Sequence, residues 1–147
     1  MSHNHCIRVS LDLKDKNISF DSIFCEERLI NGVRSKVYNG LLTYKPLACP
    51  CCGIKNEHYS IVKNGFLSSR VKWLSTAHYP TYILLKKQRF LCRHCHFSFL
   101  AESPEIDKHC FIAKRVKQSI GIELADAISL KDLAKRHFVS TTTINRV

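Results

Sequence analysis

Two stretches decide the fold of this chain, Cys49-Pro50-Cys51-Cys52-Gly53 and Cys92-Arg93-His94-Cys95. Each contains a Cys-x-x-Cys pair, and two such pairs supply the four sulfur ligands that a tetrahedral zinc ion prefers. Gly53 supports this interpretation, because the residue after the second cysteine of such a turn tends to adopt a positive φ. We therefore predict a structural Zn²⁺ ion bound by Cys49, Cys52, Cys92 and Cys95.

Three neighbouring residues compete for this predicted site. Cys51 lies inside the first pair and is the substitute for Cys52, while His94 and His96 flank Cys95 and are rivals for the fourth position. Four cysteines at the right spacing favour a closed site of four sulfurs, which leaves no position for a catalytic water. The alternatives are four buried free thiols, or a thioredoxin-like redox site, which needs only one pair before a helix.

Composition limits the class of protein. The chain has 147 residues, of which 45% are hydrophobic, as is typical of a folded globular protein. No apolar run approaches the roughly 18 residues of a membrane helix, and the first residues lack a secretory signal pattern. We therefore expect a cytoplasmic protein without membrane contact, in which the eight cysteines are ligands or free thiols rather than disulfides. No role follows for Cys6, Cys25 or Cys110.

The positive charge of the chain is unevenly distributed. The formal net charge is +11, and two basic blocks, residues 53–96 and 108–147, flank an acidic block, residues 97–107. This pattern suggests two surfaces that contact a polyanion, although many soluble proteins are basic without binding one. Eight basic residues from the two blocks are the candidate phosphate contacts: Arg70, Lys72, Lys86, Lys87, Arg89, Arg93, Lys114 and Arg115.

The central part of the chain reads as paired strands. Residues 66–74 and 82–91 are rich in β-branched and aromatic residues, and Tyr79-Pro80-Thr81 is the predicted turn between them. Shorter strands are predicted around residues 18–20 and 33–42, with turn signals at Asn31-Gly32 and Asn39-Gly40. A β-hairpin that ends in a cysteine pair is the basis of a zinc ribbon.

From His109 onward the hydrophobic period becomes helical. Ile112, Val116, Ile120 and Leu124 recur every four residues. We therefore predict an α+β fold in which a small β-rich zinc ribbon is followed by a helical segment. The predicted boundaries are 1–45 for an N-terminal extended segment, 46–102 for the zinc ribbon and 103–147 for the helical segment.

The pattern from Ser129 onward predicts a helix-turn-helix. Ser129 and Ser140 are N-cap residues of two short helices. The predicted inward positions are the small and apolar ones: Leu130, Leu133, Ala134, Val139, Ile144 and Val147. Phe138 occupies the turn position where glycine is usual, which is unfavourable if its φ is positive. An ordinary helical hairpin is the alternative interpretation.

Four polar residues of the second helix are predicted to face outward, toward a DNA major groove: Thr141, Thr142, Asn145 and Arg146. Threonine hydroxyls suit phosphates, whereas asparagine and arginine can hydrogen-bond base edges. Carboxylates, in contrast, show no catalytic pattern, since phosphodiester chemistry with two metal ions requires acidic residues brought together in a catalytic core.

These stretches resemble the N-terminal part of bacterial insertion-sequence transposases of the ISL-three family. The resemblance is carried by residues 13–18, by Cys49-Pro50-Cys51-Cys52-Gly53, by residues 88–95 with Phe97 and Phe99, and by residues 129–147. It implies that the zinc ribbon and the helix-turn-helix bind the terminal inverted repeats of an insertion element. In that family a later RNase H-like domain with an Asp-Asp-Glu triad cuts and joins DNA.

No such catalytic domain follows in this chain, so we expect a truncated or excised N-terminal piece that is not an enzyme. The expected partner is double-stranded DNA in the bacterial nucleoid, and self-association is left open. A stand-alone zinc-ribbon and helix-turn-helix transcriptional regulator is the alternative. A part of an active recombinase is a third hypothesis.

Overall fold

The computed structural model describes residues 3–147, apart from the side chains of residues 3 and 22–24. Its elements in chain order are α1 (His3–Leu11), β1 (Ile18–Ile30), β2 (Val33–Leu42), β3 (Ile61–Thr76), β4 (Tyr79–Cys92), β5 (Ser98–Leu100), α2 (Lys114–Glu123), α3 (Leu130–His137) and α4 (Thr141–Arg146). The predicted α+β class is confirmed, with a strand-rich part followed by three helices. Among the described helices, none has the length and apolar character needed to cross a membrane.

One five-stranded sheet contains all the strands, in the order β1-β2-β4-β3 with β5 also paired to β4. β1 pairs with β2 and β3 with β4 as antiparallel hairpins, whereas β2 and β4 are parallel, from Lys36 opposite Thr81 to Leu42 opposite Lys87. This parallel pairing joins the N-terminal hairpin to the hairpin that carries the second cysteine pair. The division at 1–45, 46–102 and 103–147 stays a prediction.

The core is formed where β3 and β4 turn alternate side chains to one side of the sheet. Val71, Trp73, Ile83 and Leu85 are buried there, as the two-residue period of a strand requires. The indole Nε1 of Trp73 donates a hydrogen bond of 2.9 Å to the carbonyl oxygen of Leu11. This bond fixes the end of α1 against the sheet.

A buried polar cluster joins the N-terminal residues to the start of α2. The Ser103 hydroxyl donates to Asp15 over 2.6 Å, and the Lys14 amide donates to Glu105 over 2.9 Å. The Arg115 guanidinium pairs with Glu105 over 3.2 Å and also with Asp12. These contacts hold the start of α2 against the segment between α1 and β1, about 90 to 100 residues earlier in the chain.

The predicted turn at Tyr79-Pro80-Thr81 is wrong by two residues. Thr76 pairs with Tyr79, so the turn consists of Ala77 and His78, whose φ angles are 51° and 62°. Pro80 lies instead as the second residue of β4, where its fixed φ is compatible with extended backbone near a strand end.

The predicted turn at Asn39-Gly40 is also wrong. Asn31-Gly32 does form the β1–β2 turn, with φ of 53° and 77°. Gly40, however, lies inside β2, and a Cβ at this position would meet side-chain atoms of Ile83, Leu85 and Phe20 at 3.4 Å. The glycine therefore allows close packing over the sheet rather than a turn.

The helical segment departs from the predicted apolar positions at its ends. Val116, Ile120, Leu133, Ala134 and Ile144 are buried, as predicted. Ile112 precedes α2 and forms a bridge to Lys72 of β3, and Leu124 is the C-cap of α2. Leu124, Leu130 and Val147, which lie at the ends of these short helices, are exposed rather than buried.

Both predicted serine caps, at the starts of α3 and α4, are confirmed. The Ser129 hydroxyl accepts from the Asp132 amide over 3.1 Å, and the Ser140 hydroxyl accepts from the Thr143 amide over 3.2 Å. Phe138 ends α3 in the left-handed conformation with φ of 54°, the conformation for which glycine is usual.

Replacing Trp73 by Phe should lower the free energy of unfolding by about 1–3 kcal/mol, because the buried Leu11 carbonyl loses its donor. Urea unfolding followed by circular dichroism measures this change. Tyr79→Phe, which alters a partly exposed ring, is the control and should change stability by less than about 0.5 kcal/mol. Equal stability of Trp73→Phe and wild type would contradict the role of this hydrogen bond.

Candidate metal centre and nucleic-acid interface

The four predicted cysteines come together at one end of the sheet. The Sγ atoms of Cys49, Cys52, Cys92 and Cys95 all lie within 4.8 Å of one another. Cys49 and Cys95 are 3.6 Å apart, and Cys52 and Cys92 are 3.7 Å apart. A tetrahedron with zinc–sulfur bonds of about 2.3 Å has edges of about 3.8 Å, so the cluster fits zinc closely.

The backbone of each cysteine pair forms the same tight turn. The Gly53 amide donates to the Cys49 carbonyl over 3.0 Å, and the His96 amide donates to the Cys92 carbonyl over 2.9 Å. Gly53 has a φ of 74° and His96 a φ of 61°. His96 therefore has the backbone role of Gly53, which its position just after Cys95 could have revealed.

The rivals for the metal do not join the cluster. His94 and His96 are exposed, and neither belongs to the group of potential ligands found among the described residues. Cys51 is also exposed, and its backbone amide donates to the Cys49 sulfur over 3.4 Å. This amide directs positive charge at a ligand sulfur, as suits a thiolate.

The two cysteine pairs are attached to different parts of the fold. Cys92 ends β4 opposite Ile61 of β3, and its amide donates to the Phe97 carbonyl over 2.9 Å. Cys49 lies in a loop that is closed by the bridge between Ala48 and Lys55. A metal ion on all four sulfurs therefore fixes this loop to the end of the central strand.

The thiols of the cluster differ in acidity. Burial raises the pKa of Cys49, but the backbone amides of Cys52 and Cys51 outweigh it and lower this pKa to about 6. The Phe97 amide lowers the pKa of Cys95, but burial and the neighbouring thiols raise it to about 12. The first thiol thus loses its proton easily, and its negative charge disfavours deprotonation of the neighbouring thiols. Four thiolates therefore require a divalent cation among them.

Predicted DNA contacts occupy three kinds of position. The exposed ones are Arg70, Lys86, Arg93, Thr141, Thr142, Asn145 and Arg146. Lys87, Arg89, Lys114 and Arg115 are partly buried, and Lys72 is buried. Lys114 forms an ion pair with Asp107, and Arg115 forms ion pairs with Glu105 and Asp12. As DNA contacts all these residues stay predictions.

Arg70 and Lys86 share one face of the sheet. Arg70 lies opposite Leu84 and Ser68 lies opposite Lys86, so both basic side chains project to the same side. The Arg70 guanidinium is 5.3 Å from the centre of the Tyr82 ring, an arrangement in which the ring faces the cation. Tyr82 was not identified by the sequence analysis, since its role depends on the strand register.

Lys72 differs from an exposed phosphate contact. Only 5% of the residue is exposed, and its Nζ atom has no hydrogen-bond partner among the described residues. The Nζ atom lies 4.6 Å from the Tyr82 ring centre and 5.1 Å from that of Phe138 in the helix-turn-helix. Burial lowers the pKa of Lys72 to about 8.

The backbone of Lys72 is also bound to the helical segment. Its amide donates to the Phe111 carbonyl over 2.7 Å, and its carbonyl accepts from the Ala113 amide over 3.0 Å. Backbone and side chain of one strand residue thus contact both the start of α2 and the turn before α4.

Comparison with known proteins agrees with the metal centre. Residues 45–95 match a family described as the zinc-finger of transposase IS204/IS1001/IS1096/IS1165. The matched segment contains all four clustered cysteines. No curated protein and no solved structure matches the chain.

Purified protein should contain about one zinc ion per chain, and Cys92→Ser should abolish stoichiometric zinc because three sulfurs leave the tetrahedron open. Inductively coupled plasma mass spectrometry measures the metal. Cys51→Ser is the matched control within the same loop and should keep full zinc. Loss of zinc from the Cys51 variant with retention by the Cys92 variant would contradict the assignment.

Lys72→Met should change how stability depends on pH. The folded-state pKa of about 8 lies below the ordinary value of 10.5, so the unfolded chain binds more protons between these values. Wild-type stability should therefore gain on the order of 1–3 kcal/mol from this group as pH rises from 8 to 10.5.

In Lys72→Met this gain should be absent, and stability at pH 7 should be higher than in wild type. Denaturant unfolding at several pH values measures the difference between the two proteins. Lys86→Met, at an exposed position, should follow the wild-type curve. Parallel curves for Lys72→Met and wild type would show that the Lys72 ammonium keeps its ordinary pKa.

Proposed function

Since residues 45–95 match the zinc ribbon of ISL-three-type transposases, we propose that this chain is the zinc-stabilised, DNA-binding N-terminal portion of such a transposase. Its target is the terminal inverted repeat of the element. A partner of this kind places the protein with the bacterial nucleoid. The zinc ion has a structural role, since four sulfurs occupy its whole coordination sphere.

The observation that carries this proposal is the continuity between the sheet and the helix-turn-helix. Arg70 and Lys72 both contact the ring of Tyr82, and Lys72 also contacts the ring of Phe138 in the turn. The basic face of β3 and β4 therefore adjoins the turn that leads into α4. A duplex that follows this face could contact both parts at once.

The two parts suit different components of DNA. Arg70, Lys86 and the exposed Arg93 present long cationic side chains, which neutralise phosphates without reading sequence. Asn145 and Arg146 of α4 are exposed, whereas Ile144 on the same helix is buried in the core. Their amide and guanidinium groups can each form paired hydrogen bonds with a base edge in the major groove.

We also propose that DNA cleavage is not performed by the residues described here. Among these residues, the cysteine cluster is the group of three or more His, Cys, Asp or Glu side chains close enough to share a metal ion. A closed sulfur site offers no open position for an attacking water. The proposed contribution of the chain is therefore recognition of the DNA end.

Binding should be tested by fluorescence anisotropy with an inverted-repeat duplex and a shuffled duplex. Arg70→Ala/Lys86→Ala should weaken both by about tenfold or more and reduce the salt dependence, because two phosphate contacts are lost. Asn145→Ala/Arg146→Ala should weaken the inverted repeat by about tenfold or more and the shuffled duplex less.

Lys16→Ala removes an exposed lysine outside the proposed surface and should leave both affinities unchanged. Zinc content and circular dichroism of each variant check that the fold is retained. A wild-type affinity that does not change with salt would contradict binding through phosphates. Preference for a promoter operator over the inverted repeat would favour the transcriptional regulator instead.

A further inference from the structure

A second surface feature lies beside the metal centre. A cleft of about 1030 Å³ is lined by residues 43–46 and 56–59, together with Ile61, Lys63 and Phe90. None of these side chains is a zinc ligand, and none belongs to the basic face of Arg70 and Lys86.

One wall of the cleft is a turn in an unfavourable conformation. The Ser60 amide donates to the Glu57 carbonyl over 3.0 Å, and the two residues between them, His58 and Tyr59, have φ of 50° and 60°. Two consecutive left-handed residues define a type I′ turn, for which Asn-Gly is the favoured pair. Bulky side chains rarely adopt this conformation because Cβ approaches the backbone.

The surrounding contacts hold this turn in place. The Ser60 hydroxyl accepts from the Glu57 amide over 3.0 Å and lies 2.7 Å from the Lys55 carbonyl. The Ser60 carbonyl accepts from the Arg93 amide over 2.8 Å, which connects the turn to the second cysteine pair. Strained backbone of this kind is found at binding sites as well as at plain hairpin turns such as Ala77–His78, so the case for a ligand rests on the side chains that the turn presents.

The turn presents an aromatic ring to solvent. Tyr59 is 81% exposed, although a glycine there would satisfy the backbone with less strain. Tyr44, another lining residue, is fixed by the Glu102 amide, which donates to its hydroxyl over 3.0 Å, and its ring lies 5.7 Å from that of Phe90. The lining of the cleft thus includes one exposed ring, Tyr59, and a packed pair of rings, Tyr44 and Phe90.

The charges around the cleft indicate an anionic ligand. Lys45 and Lys63 are exposed lining residues, and Glu57 is the one carboxylate among the lining residues. Aromatic rings flanked by lysines are what proteins use to bind unpaired nucleotides, since bases stack on the rings and phosphates approach the cations. A purely apolar ligand would gain nothing from the two lysines.

We propose that this cleft binds an unpaired nucleobase of DNA, stacked on Tyr59, while Lys45 and Lys63 contact the flanking phosphates. The proposal rests on the DNA-binding function above and specifies a second, separate contact. A base that leaves the duplex near the zinc ribbon would occupy the cleft while the sheet face holds the paired DNA.

The test compares a blunt duplex with the same duplex carrying a short unpaired tail that contains 2-aminopurine. Wild-type protein should bind the tailed duplex about tenfold more tightly and should quench the 2-aminopurine fluorescence, because the base stacks on a ring. Tyr59→Phe should keep both effects. Tyr59→Ala should lose both while its affinity for the blunt duplex is unchanged.

Two further variants separate this role from folding. Tyr79→Ala removes a tyrosine next to the other strained turn and should keep the preference for the tail. Tyr59→Gly should raise the melting temperature, because glycine adopts a positive φ freely, and should still lose the preference.

The outcomes distinguish this proposal from the general one. Equal affinity for the two duplexes, or an unchanged preference of Tyr59→Gly for the tailed duplex, overturns the proposal that the cleft binds a base. The proposal of duplex binding is left intact. Failure of wild-type protein to bind either duplex overturns both. Loss of the preference in Tyr79→Ala as well as Tyr59→Ala would show that the effect is not specific to the cleft.

Discussion

Repulsion among four thiolates is the constraint on which the rest of this structure depends. Four sulfur atoms within 4.8 Å of one another cannot all carry charge unless a cation lies among them. Once a divalent ion is bound, the loop around Cys49 is fixed to the end of β4. Metal binding and folding of this end of the molecule are therefore one event, as in other small zinc-dependent modules.

β4 transmits this constraint through the molecule. It pairs with β2, β3 and β5, and its last residue is the ligand Cys92. In its partner β3, the backbone of Lys72 is hydrogen-bonded to the segment before α2, and its side chain contacts Phe138 in the turn before α4. The metal centre and the proposed recognition helix are thus positioned by opposite ends of the same hairpin.

Two unfavourable local features lie where we propose that DNA binds. The Nζ atom of buried Lys72 has no hydrogen-bond partner among the described residues, and His58 and Tyr59 hold left-handed φ angles with bulky side chains. Such features reduce stability, and the remaining contacts of the fold must offset them. The metal centre and the ion pair between Arg115 and Glu105 are among the contacts that stabilise the fold.

The sequence by itself determined the local chemistry of this protein. The spacing of the cysteines identified the four ligands, and Ser129 and Ser140 identified the starts of two helices, because each signal acts within a few residues. The tertiary structure decided the rest. The parallel pairing of β2 with β4, the burial of Lys72 and the ion pairs of Arg115 depend on segments distant in sequence. A basic residue in a strand pattern looks the same whether its partner is solvent or an aromatic ring, so only the packed fold distinguishes the two.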